Sequence, residues 1–532
     1  MKHTISSSIQ LVEDHPIASD NSDELAQKSS DAQHLPLPLV MKLCQLLTIE
    51  KIVYCHWKSN NALDRSASGE NDLDLLVSRT DISRFTEILS RLGFKRAIGT
   101  AEKNVVGITD YYGYDAVADK MVHVHVHYQL VVGHDMTKNL RLAIEEPYLK
   151  SAVQGNMFNV PAPEFEFLVF VIRMALKHLT WDAIFGGTAK LKYSEQKELE
   201  YLQTHTNLDR MMDYSKELFP FMKVELLDRC IQALQPGASI RLRLKTGQEL
   251  QAVLQARLRH GLMIDLIMKI WRRISLAIRW RFFGAPSKRR LEGGGIMIAI
   301  IGGDGAGKST AVNELYHWLS KNFETTKVHM GIPAWSWTTI IIRSTLKIGQ
   351  IMGLYPVESS MLETLQQKSL LSPGFPWLIR EVCRAHDRYW TYVRAQRFSA
   401  EGAIVIFDRF PVSQIQLMDG PQTERFVSQL EDGEHKKQFM TPRQSNRLVQ
   451  ALIKLEQSYY NRIVAPEILV VLRVAPEIAV QRKTNENPLE VRARSQEIWS
   501  IDWQQSPAYV INSAQSKSDM VSQLKSFVWS KL

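Results

Sequence analysis

The stretch Ile296–Thr310, IMIAIIGGDGAGKST, constrains this chain more than any other. A branched apolar run of strand character breaks into glycines and closes on Lys308-Ser309-Thr310. Gly302, Gly307, Lys308 and Ser309 satisfy the spacing G-x-x-x-x-G-K-[ST] of a phosphate-binding loop. Glycines let backbone N–H groups curl around a phosphate with no Cβ in the way. The lysine ammonium reaches the β and γ oxygens, and the serine hydroxyl suits Mg²⁺. Ala311, Leu315 and Leu319 follow at helical spacing, so a helix starting near Ser309 turns its positive end toward the anion. A glycine-rich turn can match such a pattern by chance, but here strand, loop, Lys-Ser and helix stand in the required order. Gly302, Gly303, Asp304, Gly305, Ala306, Gly307, Lys308, Ser309 and Thr310 are therefore the expected seat of a nucleoside triphosphate.

The 532 residues allow two or three domains with sizeable cores. Cys44, Cys55, Cys230 and Cys383 lie far apart without metal-ligand spacing, which fits a reduced cytoplasm better than a disulfide framework. Residues 1–34 are rich in Ser, Asp and Gln, lack a signal-peptide core, and read as a disordered lead. No run of about 18 apolar residues is present, so no membrane-spanning helix is expected. Between Arg257 and Arg290 stand ten Lys or Arg against the single Asp265, which equals the formal +9 of the whole chain. Basicity is thus local, and binding of nucleic acid is not expected.

In chain order, an α/β region over 35–160 carries strand candidates at Lys51–Cys55, Leu73–Val77 and Met121–Leu130. A helical extension over 161–256 opens near Pro163 with Phe165, Leu168, Ile172 and Leu176 on one face. Within 257–295, Leu262–Phe283 reads as a basic amphipathic helix with Trp271 and Trp280, followed by the linker Gly284–Gly295. Such a helix either lies on an anionic membrane surface or packs between domains with its arginines in solvent. The last domain, 296–532, alternates strands and helices in the rhythm of a five-stranded parallel sheet covered on both faces. Its run Ala403–Phe407 ends at Asp408-Arg409, at the carboxyl end of a strand, where ligands of such sheets sit. A carboxylate there serves a Mg²⁺ shell, and an arginine takes a phosphate bidentately.

GGDGAGKST followed about a hundred residues later by FDRFPVS resembles the thymidylate kinase family of P-loop kinases. The resemblance covers roughly Gly294–Leu532. It implies ATP as donor, Mg²⁺, and a nucleoside monophosphate-like acceptor. It further implies that Asp304 orients the acceptor and the Asp408–Arg409 pair, that Arg409 holds the acceptor phosphate, and that Arg388 and Ser413 belong to the acceptor side. Arg482, Lys483, Arg492 and Arg494 match the lid of the branch that carries its catalytic arginines there. After Ser413 the chain reads Gln414-Ile415-Gln416-Leu417, a departure from the family's pocket residues that leaves thymidylate a default acceptor. Arg380, Arg384 and Arg388 recur at i, i+4, i+8, either as a phosphate-facing wall or as a solvated face.

In the first region, Asp72-x-Asp74 on an apparent strand puts two carboxylates on one face, an arrangement suited to Mg²⁺-triphosphate. With Lys58-Ser59 upstream and HVHVHYQL downstream, it resembles an uncharacterised nucleotidyltransferase-like family. Where that family offers a third acidic residue, this chain has His125 and His127, and Lys177-His178 is a further candidate. The chain is thus expected to be a kinase of phosphorylated small molecules, with nucleotidyl transfer by the first region or a degenerate nucleotide sensor docked on a membrane as alternatives. Nucleotides are the expected partners and a homodimer is left open. The expected location is the cytoplasm, free or peripheral at the inner membrane face through 257–290.

Overall fold

A computed structural model describes residues 35–99, 104–134, 137–181, 183, 189–283, 288–354, 375–412, 414–415, 419–423 and 446–532. The lead 1–34 lies outside them, as does Ser413. The chain divides into two compact units that interleave in sequence: Met1–Ile82 with His127–Gly261, and Ser83–Val126 with Leu262–Leu532. The boundaries read from the sequence are linear, whereas these units exchange the segment Ser83–Val126.

The described elements begin with Pro38–Ile49 (α1), Tyr54–His56 (β1), Leu73–Val77 (β2), Ile82–Arg91 (α2), Lys95–Ile98 (β3), Ile108–Asp115 (β4) and Lys120–His127 (β5). Next come Leu130–Val132 (β6), Leu140–Leu142 (β7), Pro163–His178 (α3), Tyr193–His205 (α4), Leu208–Leu218 (α5), Val224–Leu234 (α6), Ile240–Leu254 (α7) and Leu262–Phe283 (α8).

In the first unit α3 is the organising helix. Pro163 sits in its first turn, where its missing N–H costs nothing. Phe165, Leu168, Ile172 and Ala175 pack with Leu202 of α4, Met211 of α5, Leu227 of α6 and Leu250 of α7 in one core. Each fully buried side chain of this kind contributes about 1.5–3 kcal/mol. The antiparallel pair β1–β2 sets Cys55 opposite Leu76 and His56 opposite Leu75, and Cys55, Trp57 and Leu76 join the same core.

The second unit continues with Ile296–Gly302 (β8), Lys308–Leu319 (α9), Thr325–His329 (β9), Trp337–Ile351 (α10), Phe375–Ala400 (α11), Ile404–Asp408 (β10) and Asn446–Tyr460 (α12). Ile468–Arg473 (β11), Pro476–Arg482 (α13), Pro488–Ser500 (α14), Tyr509–Asn512 (β12) and Lys517–Lys531 (α15) complete it. Its five-stranded parallel sheet has the order β9-β10-β8-β11-β12. Alternation along β8 sends Ile298 and Ile300 into one core and Met297, Ala299 and Ile301 into another. Burial on both faces is why that strand reads as an unbroken apolar run.

The sequence reading missed β3 and β4, yet they belong to this unit's core. Ala97, Tyr112 and Tyr114 cluster with Leu315, Trp318, Phe323 and Trp529. Lys525 binds Asp119 at 2.7 Å, and Trp529 Nε1 donates to the Gly93 carbonyl at 3.1 Å. The expected linker Gly284–Gly295 is in part a strand: Arg290 and Leu291 pair antiparallel with Ile98 and Ala97 of β3.

α8 forms where expected, but its apolar side is not buried. Leu266, Ile267, Ile270, Trp271, Ile274 and Ile278 are exposed, whereas Asp265 is only 8% accessible. No described helix is long and apolar enough to cross a membrane.

Candidate functional site

β8 is the central strand of the parallel sheet, with β10 and β9 on one side and β11 and β12 on the other. From β8 the chain runs to β9 and β10 on one side and then crosses to β11 and β12 on the other, so the crevice at the carboxyl end of β8 is a topological switch point. The loop Gly302–Gly307 lies there. Geometry requires glycine at several loop positions, Gly305 and Gly303 among them. Gly305 has φ of +76°, and a Cβ on it would meet the Ala479 carbonyl oxygen at 2.8 Å. Gly303 passes so close to α14 that a Cβ would lie 2.9 Å from Ser495 Cα.

Lys308 opens α9 and is buried. Its Nζ donates to the carbonyls of Gly302 and Gly303 at 2.9 and 2.7 Å, so the side chain curls back across the loop. Burial lowers its pKa to about 8, with Asp304 acting in the opposite direction. Asp304 is the hub of the site. Its Oδ2 accepts from Arg494 Nη1 at 2.8 Å, while Oδ1 faces Lys308 Nζ at 3.7 Å and Arg409 Nη2 at 3.9 Å. Burial alone would raise its pKa, but Arg494, Lys308 and Arg409 together hold it below the usual carboxylate value.

Parallel register sets Asp408 of β10 opposite Ile300 of β8 and His329 of β9. His329 Nε2 approaches Asp408 Oδ2 to 3.9 Å. Arg409 has φ of +67°, a left-handed conformation costly for a side chain with a Cβ, and its N–H donates to the Ile300 carbonyl at 3.3 Å. Arg482 reaches the loop from α13, donating to the carbonyls of Gly305 and Ser513 at 3.3 and 3.0 Å. Arg492 is exposed, as is Ser309, while Thr310 is half-buried. The structure thus brings together Asp304, Lys308, Arg409, Arg482 and Arg494. Against Asp304, Asp408 and Glu490 stand Lys308, Arg409, Arg482 and Arg494, which leaves a net positive site that suits an anion.

Arg388, on α11, lies near Arg409: its Nη2 approaches the carbonyl of Gly331 at 3.4 Å, and Gly331 packs against the Arg409 side chain. Arg388 is buried, with Nε on the Met330 carbonyl at 2.9 Å, Nη1 on the Asp419 carbonyl and Tyr460 hydroxyl, and Nη2 on Asp419 Oδ1 at 3.0 Å. Its donors are committed to protein, so this arginine ties α11 to α12 and the 419–423 segment. Arg384, one turn earlier on α11, instead lines a cavity of about 170 Å³ with Gly331, Pro333, Trp335, Arg343 and Asp387. The basic stripe of α11 therefore divides between a structural and a cavity-lining member.

This chain is similar to a protein named for binding ATP. No family model matches it. It is 24% identical over 248 residues to the uncharacterized ATP-binding protein YghR of Escherichia coli strain K12, covering 46% of this chain and 90% of that protein. The YghR of Escherichia coli O6:H1 matches to the same extent.

In the first unit, Asp72 precedes β2 and is exposed, whereas Asp74 lies within it, half-buried, with Lys58 Nζ at 2.9 Å. A nitrogen of His127 lies within 4.8 Å of an Asp74 oxygen, and its ring packs against Trp57. His125, in the second unit, has its ring 5.9 Å from that of His123. Lys177 and His178 both bind Glu195, at 3.0 Å each. Burial would raise the Glu195 pKa, but the His178 contact brings it down to about 2.

The acids that organise this region were not singled out in the sequence. Glu198 accepts from the Ser59 N–H at 3.0 Å and from Arg173 at 2.9 Å, holding Ser59 at φ of +59°. Glu166 accepts from the Asn60 N–H at 3.2 Å, and burial raises its pKa to about 7. The signal was present: a carboxylate at position 166 interrupts the apolar run FEFLVF.

Proposed function

We propose that the second unit is an ATP-dependent phosphotransferase of the thymidylate kinase type, acting on a phosphorylated small molecule such as a nucleoside monophosphate. One observation carries the reading. Asp304, inside the loop, gathers Lys308 of α9, Arg409 just after β10 and Arg494 of α14 at the carboxyl end of a parallel sheet. The similarity to a protein named for binding ATP supports the donor half.

In this reading the loop N–H groups and the Lys308 ammonium receive the β and γ phosphates. Lys308 exchanges its two loop carbonyls for phosphate oxygens. Arg409 fixes the acceptor phosphate. Arg494 and Arg482 supply positive charge to the transferring group, and α14, packed against Gly303, helps to exclude water. The hydroxyl of Ser309 and the carboxylate of Asp408 are hard oxygen donors of the kind Mg²⁺ takes, and these two residues would hold it. Bound there, the ion neutralises charge on the phosphates.

The acceptor is set by residues that include the departures at Gln414 and Ile415, so it is best found by trial. Full-length protein with γ-labelled ATP, screened against nucleoside monophosphates and sugar phosphates, is expected to label one acceptor class. Lys308→Ala should lower that labelling by at least about a hundredfold. Equal labelling by the variant would remove the reading.

A further inference from the structure

α8 is an amphipathic helix whose apolar side is open. Its less accessible side mixes polar residues with half-buried Met268 and Leu276. Asp265 is 8% exposed and binds Lys269 at 3.0 Å, and Arg272 and Ser275 follow it on that side, half-buried. The open side carries Leu266, Ile267, Ile270, Ile274 and Ile278, with Trp271 at 67% and Trp280 at 73% exposure. The 22 residues of α8 give a helix about 33 Å long, so the open apolar stripe far exceeds scattered surface hydrophobics. An apolar side this long left bare is stabilised only when something apolar covers it.

We propose that the outer side of α8 seats on an anionic phospholipid surface. Charge decides among the possible coverings. The helix has one carboxylate, Asp265, and it is turned inward, whereas Arg273 and Arg281 are exposed beside the apolar stripe. The flanking sequence extends the bias, since Arg257–Arg290 carries the chain's whole formal excess of +9. Two copies of such a surface would bring like charges together, while acidic headgroups complement them. Exposed Trp271 and Trp280 are the side chains that settle at the boundary between headgroups and acyl chains. The helix lies in that boundary and does not span, as its arginines and the absence of any described spanning helix require.

The test uses full-length protein sedimented with phosphatidylcholine vesicles, alone or with about 30% phosphatidylglycerol as the anionic component. The comparison variant is Ile267→Glu with Ile274→Glu. Both positions are exposed, so the fold is kept, and circular dichroism and thermal unfolding verify this. The native chain is expected to partition at least about tenfold more onto the anionic vesicles at low salt, with a blue shift of tryptophan emission. The double variant should lose that preference, and added salt should weaken it. Equal partitioning of the two proteins, or no preference for anionic vesicles, overturns the proposal. So does a concentration-dependent dimer that the double variant dissolves while neither protein binds lipid, because a second copy would then be the covering surface.

Discussion

Asp304 shows how one buried carboxylate organises a cationic site. With Lys308, Arg409 and Arg494 around it, its charge lets three cations share a small volume. The first unit contains the opposite case. Glu166 has no such surplus of cations, and burial raises its pKa from 4.5 to about 7. The folded state therefore binds this proton more tightly than the unfolded chain. Its stabilising contribution is complete below about pH 4.5 and is lost as pH rises toward 7, by at most about 1.4 kcal/mol per pH unit. His56, whose pKa burial lowers, acts in the other direction below 6.5, so the readout is a difference between two proteins. Denaturant unfolding between pH 5 and pH 7 should show Glu166→Gln gaining on the native chain as pH rises. Parallel pH profiles would mean that Glu166 is ionised throughout.

At the scale of elements, much was legible and the exceptions have physical causes. β8 announces itself as a branched apolar run, β2 as an apolar stretch broken by Asp74, and α3 by Pro163 followed by helical spacing. β3 and β4 were missed because KRAI is short and charged and ITDYYGYD is mixed with Thr, Asp and Gly; their burial comes from partners distant in sequence. The loop's place between a strand and a helix was readable, because its glycines follow an apolar run and precede a helical pattern. The partners of Arg388 were not legible, because Met330, Asp419 and Tyr460 come from distant parts of the chain. α8 was readable as amphipathic, but sequence alone does not say which side faces out. Gly305→Ala tests the loop as built. Strain at φ of +76° and a 2.8 Å approach to the Ala479 oxygen are expected to cost about 2–4 kcal/mol. Gly93→Ala, with φ of +79° and open space around it, should cost only about 1 kcal/mol. Equal shifts in denaturant midpoint would contradict the close packing of α13 on the loop.

For the whole molecule, the two resemblances suggest two consecutive domains, and the structure interleaves them. Ser83–Val126 belongs to the same compact unit as the parallel sheet, through Ala97, Tyr112 and Tyr114 in one core and Lys525 on Asp119. Both units carry cations that could meet a triphosphate, Lys58 beside Asp74 in one and the Asp304 group in the other. The most direct measurement therefore asks which of them binds ATP. Calorimetric titration of full-length protein with Mg²⁺-ATP should give one site. Lys308→Ala should weaken it by at least about a hundredfold, and Asp74→Asn should leave it unchanged. Undiminished affinity in the Lys308 variant, or a site lost with Asp74, would contradict the assignment of ATP to the Gly302–Thr310 loop.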